Sequence, residues 1–178
     1  RSMELYLIRH GIAVEPGDFP DADRPLTDRG RAKTIAIVQH LRSLGIYFDR
    51  VLTSPLCRVR QTAELLQQGE LVDTVEIWTA LQPGGAIQEW DEWLARFALQ
   101  PAVPRLNQLS RVAIVGHEPD LSHWAEQFIW GEQQTPRPAS QRLVLKKAGV
   151  IGLTLPDPPL PSLGQGQLFC LIPPRFWV

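Results

Sequence analysis

The chain has 178 residues, of which 44% are hydrophobic, and 18 basic against 19 acidic residues give a formal net charge of −1 at pH 7. This length and composition predict one domain, 1–178, with a full core, and the balanced charge argues against nucleic acid or an anionic membrane as a partner. The two cysteines are too few to crosslink the chain, which favours a reducing, cytoplasmic compartment. Arg1 and Ser2, ahead of Met3, are interpreted as residues left by cloning.

Short apolar runs alternate with helical patterns over most of the chain. Residues 4–8 predict a central strand that is buried on both faces. Residues 27–46 predict a helix with Thr27 as N-cap and Gly45 just beyond its end. Its expected apolar face consists of Ile35, Val38, Leu41 and Leu44. The elements expected next are a strand at 50–54, a helix at 55–68, a strand at 74–81, a helix at 84–98, a strand at 111–117 and a helix at 120–130.

The last part of the chain has a different pattern. Residues 142–149, 150–155 and 167–172 predict closing strands that are partly antiparallel. Residues 156–166 are dense in proline and glycine and predict a surface loop. This order of elements predicts an α/β fold, a three-layer α/β/α sandwich whose central sheet is mostly parallel with an antiparallel edge strand.

Basic side chains follow the predicted strands at the edge where open α/β sheets bind their ligands. Arg9, His10 and Gly11 directly follow the first strand, and His117 follows the strand at 111–117. Arg58 lies at the start of the helix after the strand at 50–54. Four groups that are cationic, or can become so, would then converge near a helix N-terminus, which predicts a phosphate site.

Other conspicuous residues are given structural rather than functional interpretations. His40 lies on the polar face of the first helix, and His123 lies in the helix after Pro119. Cys57 has no neighbouring histidine in sequence to activate it, so a packed thiol is expected. The aromatic residues with the i, i+3, i+7 spacing of a core stripe are Trp90, Trp93 and Phe97.

Three segments carry a resemblance to a known family. Residues 7–11 (LIRHG), 54–64 (SPLCRVRQTAE) and 115–119 (VGHEP) resemble, in this order, the signature segments of the histidine phosphatase superfamily, also called the phosphoglycerate mutase-like family. Within it, residues 24–30 (RPLTDRG) and 81–85 (LQPGG) resemble the SixA-type protein phosphohistidine phosphatases. The resemblance implies a phosphoglycerate mutase-like fold and a phosphatase activity.

The resemblance also implies roles for individual residues. His10 would attack phosphorus through a neutral ring nitrogen, and a water molecule would then cleave the phosphohistidine formed on the enzyme. Arg9 and Arg58 would hold the phosphoryl oxygens, while a protonated His117 would add positive charge. No metal or other cofactor is expected. The residues assigned to substrate binding are Arg9, Gly11, Arg58, His117 and Glu118.

Two departures from the wider family affect the substrate. Ile12, Ala13 and Val14 follow the RHG segment where family members often have a Ser or Thr that contacts phosphate. The segment in which many members place a carboxylate general acid has none before Glu89, which is therefore the candidate acid. A phosphorylated imidazole needs a proton donor less than an alkoxide does, so the departures favour phosphohistidine on a protein such as a phosphotransfer domain.

Two other classes of function stay open. One is an enzyme acting on a small phosphorylated metabolite, either a phosphomonoesterase or a mutase. The other is a module that binds phosphate without catalysis, although binding alone would not require His10.

Overall fold

The computed structural model describes residues 2–98, 110–132, 142–156 and 161–177. The strands are β1 (Ser2–Arg9), β2 (Arg50–Thr53), β3 (Val75–Ile77), β4 (Arg111–Gly116), β5 (Val150–Pro156) and β6 (Gln167–Ile172). The α-helices are α1 (Asp28–Ser43), α2 (Cys57–Gln68), α3 (Glu89–Ala98) and α4 (Asp120–Trp130). Short 3₁₀ turns occur at Asp21–Asp23, Thr79–Leu81 and Pro174–Phe176. Within the described ranges, every helix is too short or too polar to span a lipid bilayer.

The central sheet has six strands in the order β3-β2-β4-β1-β5-β6. The first four strands in this order run parallel, whereas β5 is antiparallel to β1 and β6 is antiparallel to β5. One face of the sheet packs against α3 and α4, and the other packs against α1 and α2. Side chains of β1 alternate between the two faces, with Leu5 and Leu7 on one and Tyr6 and Ile8 on the other. The predicted three-layer α/β architecture is confirmed.

The first helix confirms its predicted ends and half of its predicted apolar face, since Val38 and Leu41 are buried. Thr27 is the N-cap, because its Oγ1 accepts a hydrogen bond from the Gly30 N–H at 2.9 Å. Gly45 follows the helix with φ of 69°. The prediction that Ile35 and Leu44 are buried is wrong, since their side chains are 40% and 65% exposed. The buried residues of α1 are Gly30, Thr34, Ile37, Val38 and Leu41. The face is rotated because α1 packs a glycine and a threonine against the loop after β1.

Other predicted elements are shorter than expected or absent. The strand expected at 74–81 is confined to Val75–Ile77, and the helix expected at 84–98 begins at Glu89. Residues 142–149 form no strand, so that prediction is wrong. Part of the loop expected at 156–166 and the side chain of Phe97 lie outside the described residues. Arg1 also lies outside them, whereas Ser2 begins β1 and pairs with Pro156.

Gly30 allows the N-terminal turn of α1 to approach the loop that follows β1. A Cβ atom at this position would lie 2.0 Å from the carbonyl oxygen of Ile12. The Thr27 N–H also donates to that oxygen, at 2.9 Å. The chain after β1 is therefore held against α1 by contacts that leave no room for a side chain at residue 30.

We expect Gly30→Ala to destabilise the protein, although alanine has a higher helix propensity than glycine. The clash with backbone should cost roughly 1–3 kcal/mol in the free energy of unfolding, as overpacking typically does. Urea unfolding measures the change, and Arg29→Ala at the adjacent exposed position is the matched control. Equal or greater stability of Gly30→Ala would show that the two segments are not held in this contact.

Candidate active site

The carboxyl ends of β1 and β4 bring two of the predicted segments together. Arg9 is the register partner of Gly116, and the His10 N–H donates to the Gly116 carbonyl at 3.0 Å. The charges of Arg58, Arg9 and His117 all act on His10. The four basic residues predicted from sequence therefore lie in one site at this edge of the sheet.

His10 is buried and its ring is oriented by one short hydrogen bond. Its Nδ1 lies 2.6 Å from the Gly11 carbonyl oxygen. A carbonyl oxygen only accepts, so Nδ1 carries the proton and Nε2 keeps its lone pair. Burial, and then the charges of Arg58, Arg9 and His117, lower the pKa of His10 to about 4. His10 is therefore neutral near pH 7, mainly because it is buried.

Gly11 uses both of its backbone polar groups to hold this arrangement. Its carbonyl accepts from His10, and its N–H donates to Thr62 Oγ1 at 3.1 Å. A Cβ atom on Gly11 would lie 2.5 Å from Thr34 Oγ1, so a larger residue would displace α1. The Gly11 backbone thus orients the His10 ring. Thr62, on α2, was not identified from the sequence.

Arg58 is buried in the first turn of α2 and is held by a residue that sequence reasoning missed. Its two terminal nitrogens donate to the Asp21 carbonyl oxygen at 2.8 Å and to Asp21 Oδ2 at 3.3 Å. The Asp21 side chain is 64% exposed and also binds Arg24. Hydrogen bonds from Arg24 and the charge of Arg58 lower the pKa of Asp21.

Arg9 is half-buried, and its guanidinium is held by the segment that precedes β5. One terminal nitrogen donates to the Leu145 carbonyl at 3.0 Å. Burial lowers the pKa of Arg9, and the charge of Glu118 opposes that shift. Glu118 Oε1 also accepts from the Ser122 N–H at 3.0 Å. The structure thus places Glu118 where it can hold Arg9 and the start of α4, whereas an anionic substrate would be repelled by its charge.

The two arginines share one feature that points to a ligand. The Nε atom of Arg9 and that of Arg58 are both buried and lack a hydrogen-bond partner among the described residues. Buried guanidinium donors without partners are costly, so their persistence is typical of a site that binds an oxyanion. Their planar donor sets match the geometry of phosphoryl oxygens.

His117 is buried, and a backbone hydrogen bond orients its ring. Its Nε2 donates to the Leu81 carbonyl at 3.0 Å, and its Nδ1 lies 3.6 Å from Asp120 Oδ2. Burial lowers the pKa of His117, whereas the Asp120 charge and the Leu81 hydrogen bond oppose the shift. This does not support the expectation that His117 is protonated in the free protein. A bound dianion would raise this pKa again and allow Nδ1 to donate.

Asp120 is a carboxylate of the site that the sequence analysis did not select. Its Oδ2 accepts from the Gly84 N–H at 3.0 Å, which joins the segment 81–85 to the start of α4. The i, i+3 spacing from His117 was the signal for it. Glu89, the predicted acid, is half-buried at the start of α3. Among the described residues, no hydrogen bond or ion pair joins Glu89 to His10, Arg9, Arg58 or His117.

The remaining candidates lie elsewhere. Cys57 is a free, half-buried thiol, His40 has its ring centroid 5.9 Å from that of Trp177, and His123 is exposed. Trp90 and Trp93 are buried and stacked, as expected of a core stripe. Over the described ranges there is no group of three or more His, Cys, Asp or Glu side chains that could hold a metal ion.

The chain is similar to several known proteins. A model of the histidine phosphatase superfamily (branch 1) matches residues 5–93. The chain is 38% identical over 175 residues to an uncharacterized protein of Picosynechococcus sp., covering 98% of each chain. It is 26% identical over 172 residues to the serine/threonine-protein phosphatase Pgam5, mitochondrial, of Drosophila virilis, covering 85% of this chain but only 58% of that protein.

A solved structure extends the comparison to the fold. The structure of the protein histidine phosphatase SixA complexed with tungstate matches with a TM-score of 0.75 and 23% identity, covering 98% of this chain and 99% of that chain. The likeness confirms the expected phosphoglycerate mutase-like α/β fold.

We expect His10 to titrate far below the ordinary range of histidine. With its pKa lowered to about 4, the ring should be neutral at pH 7 and take up a proton only as the pH falls towards that value. A ¹⁵N NMR titration of the free protein measures this, with His10→Gln used to assign the resonance. A His10 signal that titrates near the ordinary value of about 6.5 would contradict the description of this site.

Proposed function

The chain belongs to the histidine phosphatase superfamily and is a phosphatase of that superfamily; from this premise we propose that it removes the phosphoryl group from phosphohistidine on a protein, with His10 as nucleophile. The single observation that carries the proposal is the state of His10. Its Nδ1 is held by the Gly11 carbonyl at 2.6 Å, and its Nε2 is left with a lone pair. The positive charges of Arg58 and Arg9 act on the same ring.

The first step transfers the phosphoryl group to the enzyme. Nε2 of His10 donates its lone pair to phosphorus, and the bond from phosphorus to the substrate imidazole nitrogen breaks. A substrate ring protonated on its other nitrogen leaves as neutral imidazole. The unpartnered Nε–H groups of Arg9 and Arg58 would donate to the equatorial oxygens, whose charge grows in the transition state. The arginines supply the positive charge that Mg²⁺ supplies in many other phosphoryl-transfer sites.

The second step regenerates the enzyme. The oxygen of a water molecule forms a bond to phosphorus, the bond from phosphorus to Nε2 breaks, and the protons of the water remain with inorganic phosphate. The hydrogen bond to Gly11 keeps Nδ1 protonated throughout, so His10 also leaves as neutral imidazole. Nucleophilic catalysis thus divides the hydrolysis into two displacements at the same phosphorus atom.

The leaving group supports phosphohistidine over an alkyl phosphate. Residues 82–88, between the 3₁₀ turn at Thr79–Leu81 and α3, contain no carboxylate that could protonate an alkoxide. Asp120 Oδ2 is already engaged as an acceptor by Gly84 and lies beside His117. A neutral imidazole makes no comparable demand for a proton. The likeness of fold to SixA, whose solved structure is called a protein histidine phosphatase, agrees with this choice.

A small-molecule phosphomonoesterase is the second candidate function. The observation that favours it is Asp120, which puts a carboxylate within 3.6 Å of His117 Nδ1. If Asp120 maintains a proton on His117, that proton could pass to a leaving oxygen. This function would use the same His10 and the same arginines.

The proposed function predicts a phosphoryl group on His10. We expect incubation with a phosphohistidine protein, followed by alkaline quenching, to trap a base-stable, acid-labile phosphoryl group that mass spectrometry maps to residue 10. His10→Gln should form no such group and reduce turnover to background. A phosphoryl group on another residue, or undiminished turnover by His10→Gln, would exclude His10 as the nucleophile.

A comparison of two carboxylate variants distinguishes the two candidate functions. Asp120→Asn retains an acceptor for Gly84 but removes the charge that favours protonated His117, and each unit by which the pKa falls removes about tenfold of that form. We expect roughly tenfold lower kcat/KM for an alkyl phosphate monoester and an acid shift in its pH profile. Glu89→Gln should leave both unchanged. If Glu89→Gln instead slowed an alkyl monoester far more than phosphohistidine, Glu89 would be the acid of a phosphomonoesterase.

A further inference from the structure

A groove beside the site has walls that combine apolar and cationic side chains. Its volume is about 680 Å³. It is lined by Lys33, Val144, Lys146, Leu171, Pro173, Pro174 and Arg175. Three of these residues are cationic, four are apolar and none is acidic. The groove therefore differs from the chain as a whole, in which 19 acidic residues slightly outnumber 18 basic ones.

The sheet register places the groove at the same edge as His10. Ile8 pairs with Val150 on β5, and Val150 pairs with Ile172 on β6. Because β6 runs in the direction of β1, its carboxyl end, followed by Pro173, Pro174 and Arg175, lies on the active-site side. Two strand spacings separate Ile172 from Ile8, which is about 10 Å.

Two sequence neighbours of the lining residues contact the segment that carries Arg9, His10 and Gly11. Leu145, between the lining residues Val144 and Lys146, accepts the hydrogen bond of Arg9 at 3.0 Å. Lys33 precedes Thr34, whose hydroxyl lies against Gly11. The groove therefore borders the nucleophile's segment on two sides and leads away from it over the surface.

The lining side chains reach solvent to different extents, since Lys146 and Arg175 are exposed and Lys33 is half-buried. Val144 is 53% exposed and Leu171 is 37% exposed. Among the described residues, none of Lys33, Lys146 and Arg175 forms an ion pair with a carboxylate. Exposed apolar area rimmed by charge is typical of a protein-binding surface rather than of a closed pocket for a small ligand. Three positively charged residues in the lining favour the binding of an acidic partner.

We propose that this groove binds an acidic amphipathic helix of the protein that carries the phosphohistidine. The apolar residues of that helix would lie along Val144 and Leu171, and its carboxylates would face Lys33, Lys146 and Arg175. The inference rests on the proposed function, since it names how a protein substrate is selected at the same site. A small phosphorylated substrate would reach His10 without occupying the groove.

The test uses two synthetic helical peptides of equal length, each phosphorylated by phosphoramidate on one central histidine. One carries leucine and glutamate on the face beside the histidine, and the other has glutamine in place of each glutamate. We expect kcat/KM for the acidic peptide to be roughly tenfold higher at low salt, because electrostatic steering raises association rates by that order or more. Added salt should remove most of the difference.

Charge reversal identifies the surface responsible. The double variant Lys33→Glu with Arg175→Glu should lose roughly tenfold in kcat/KM on the acidic peptide and nothing on the glutamine peptide or on free phosphohistidine. Arg96→Glu is the matched control, an exposed reversal on α3 at the opposite face of the sheet. Unchanged turnover of free phosphohistidine also shows that the double variant is folded.

The outcomes separate this inference from the proposed function. Equal turnover of both peptides by the unaltered protein, or a loss with the acidic peptide that Arg96→Glu reproduces, would overturn the docking surface and leave the phosphatase activity standing. Hydrolysis of p-nitrophenyl phosphate without turnover of either peptide or of free phosphohistidine would overturn the proposed function, and the docking inference with it.

Discussion

The site depends on the hydrogen bond from His10 Nδ1 to the Gly11 carbonyl, 2.6 Å long. It decides which ring nitrogen has a lone pair, and it can form only where the backbone of residue 11 is held still. The Gly11 N–H is bound by Thr62 Oγ1, which itself donates to the carbonyl of Arg58. The Gly11 backbone therefore connects His10, the proposed nucleophile, to α2, the helix that carries Arg58. A residue with a side chain at position 11 would clash with Thr34 and break this connection.

Burying several cationic groups together is unfavourable unless each is compensated. In this site, a separate carboxylate acts on each of the basic residues other than His10. Asp21 binds Arg58, the charge of Glu118 acts on Arg9, and Asp120 faces His117. His10 differs from them, because the charges of Arg58, Arg9 and His117 act on it and each of them disfavours its protonated form. The basic residues can therefore stay cationic, or become so when an anion binds, while the nucleophile stays neutral.

The sequence predicted those parts of the site that are encoded locally. The apolar runs that became β1 and β4 and the basic residues after them are each visible in a few consecutive letters, as is the cap formed by Thr27. Asp21 and Thr62 were missed because their importance comes from contacts across the fold, such as the bond from Thr62 to Gly11 across 51 positions. The face of α1 was misassigned for a related reason. Apolar spacing counts hydrophobic residues, whereas the loop after β1 requires a glycine and a small hydroxyl side chain at that contact.

The error over residues 142–149 shows what an irregular segment can do that a strand could not. The apolar residues of this segment resemble a strand, but in a sheet the Leu145 carbonyl would pair with a neighbouring strand. In the structure that carbonyl accepts from Arg9 instead. The segment returns to the sheet through Ala148, whose φ is 60° and whose N–H lies 3.1 Å from the Arg9 carbonyl and 3.0 Å from that of His10. It thereby presents the Leu145 carbonyl and the Ala148 N–H to the site on one side and Val144 and Lys146 to the groove on the other. A protein partner bound in the groove would contact Val144 and Lys146, the two neighbours of Leu145, whose carbonyl oxygen orients Arg9.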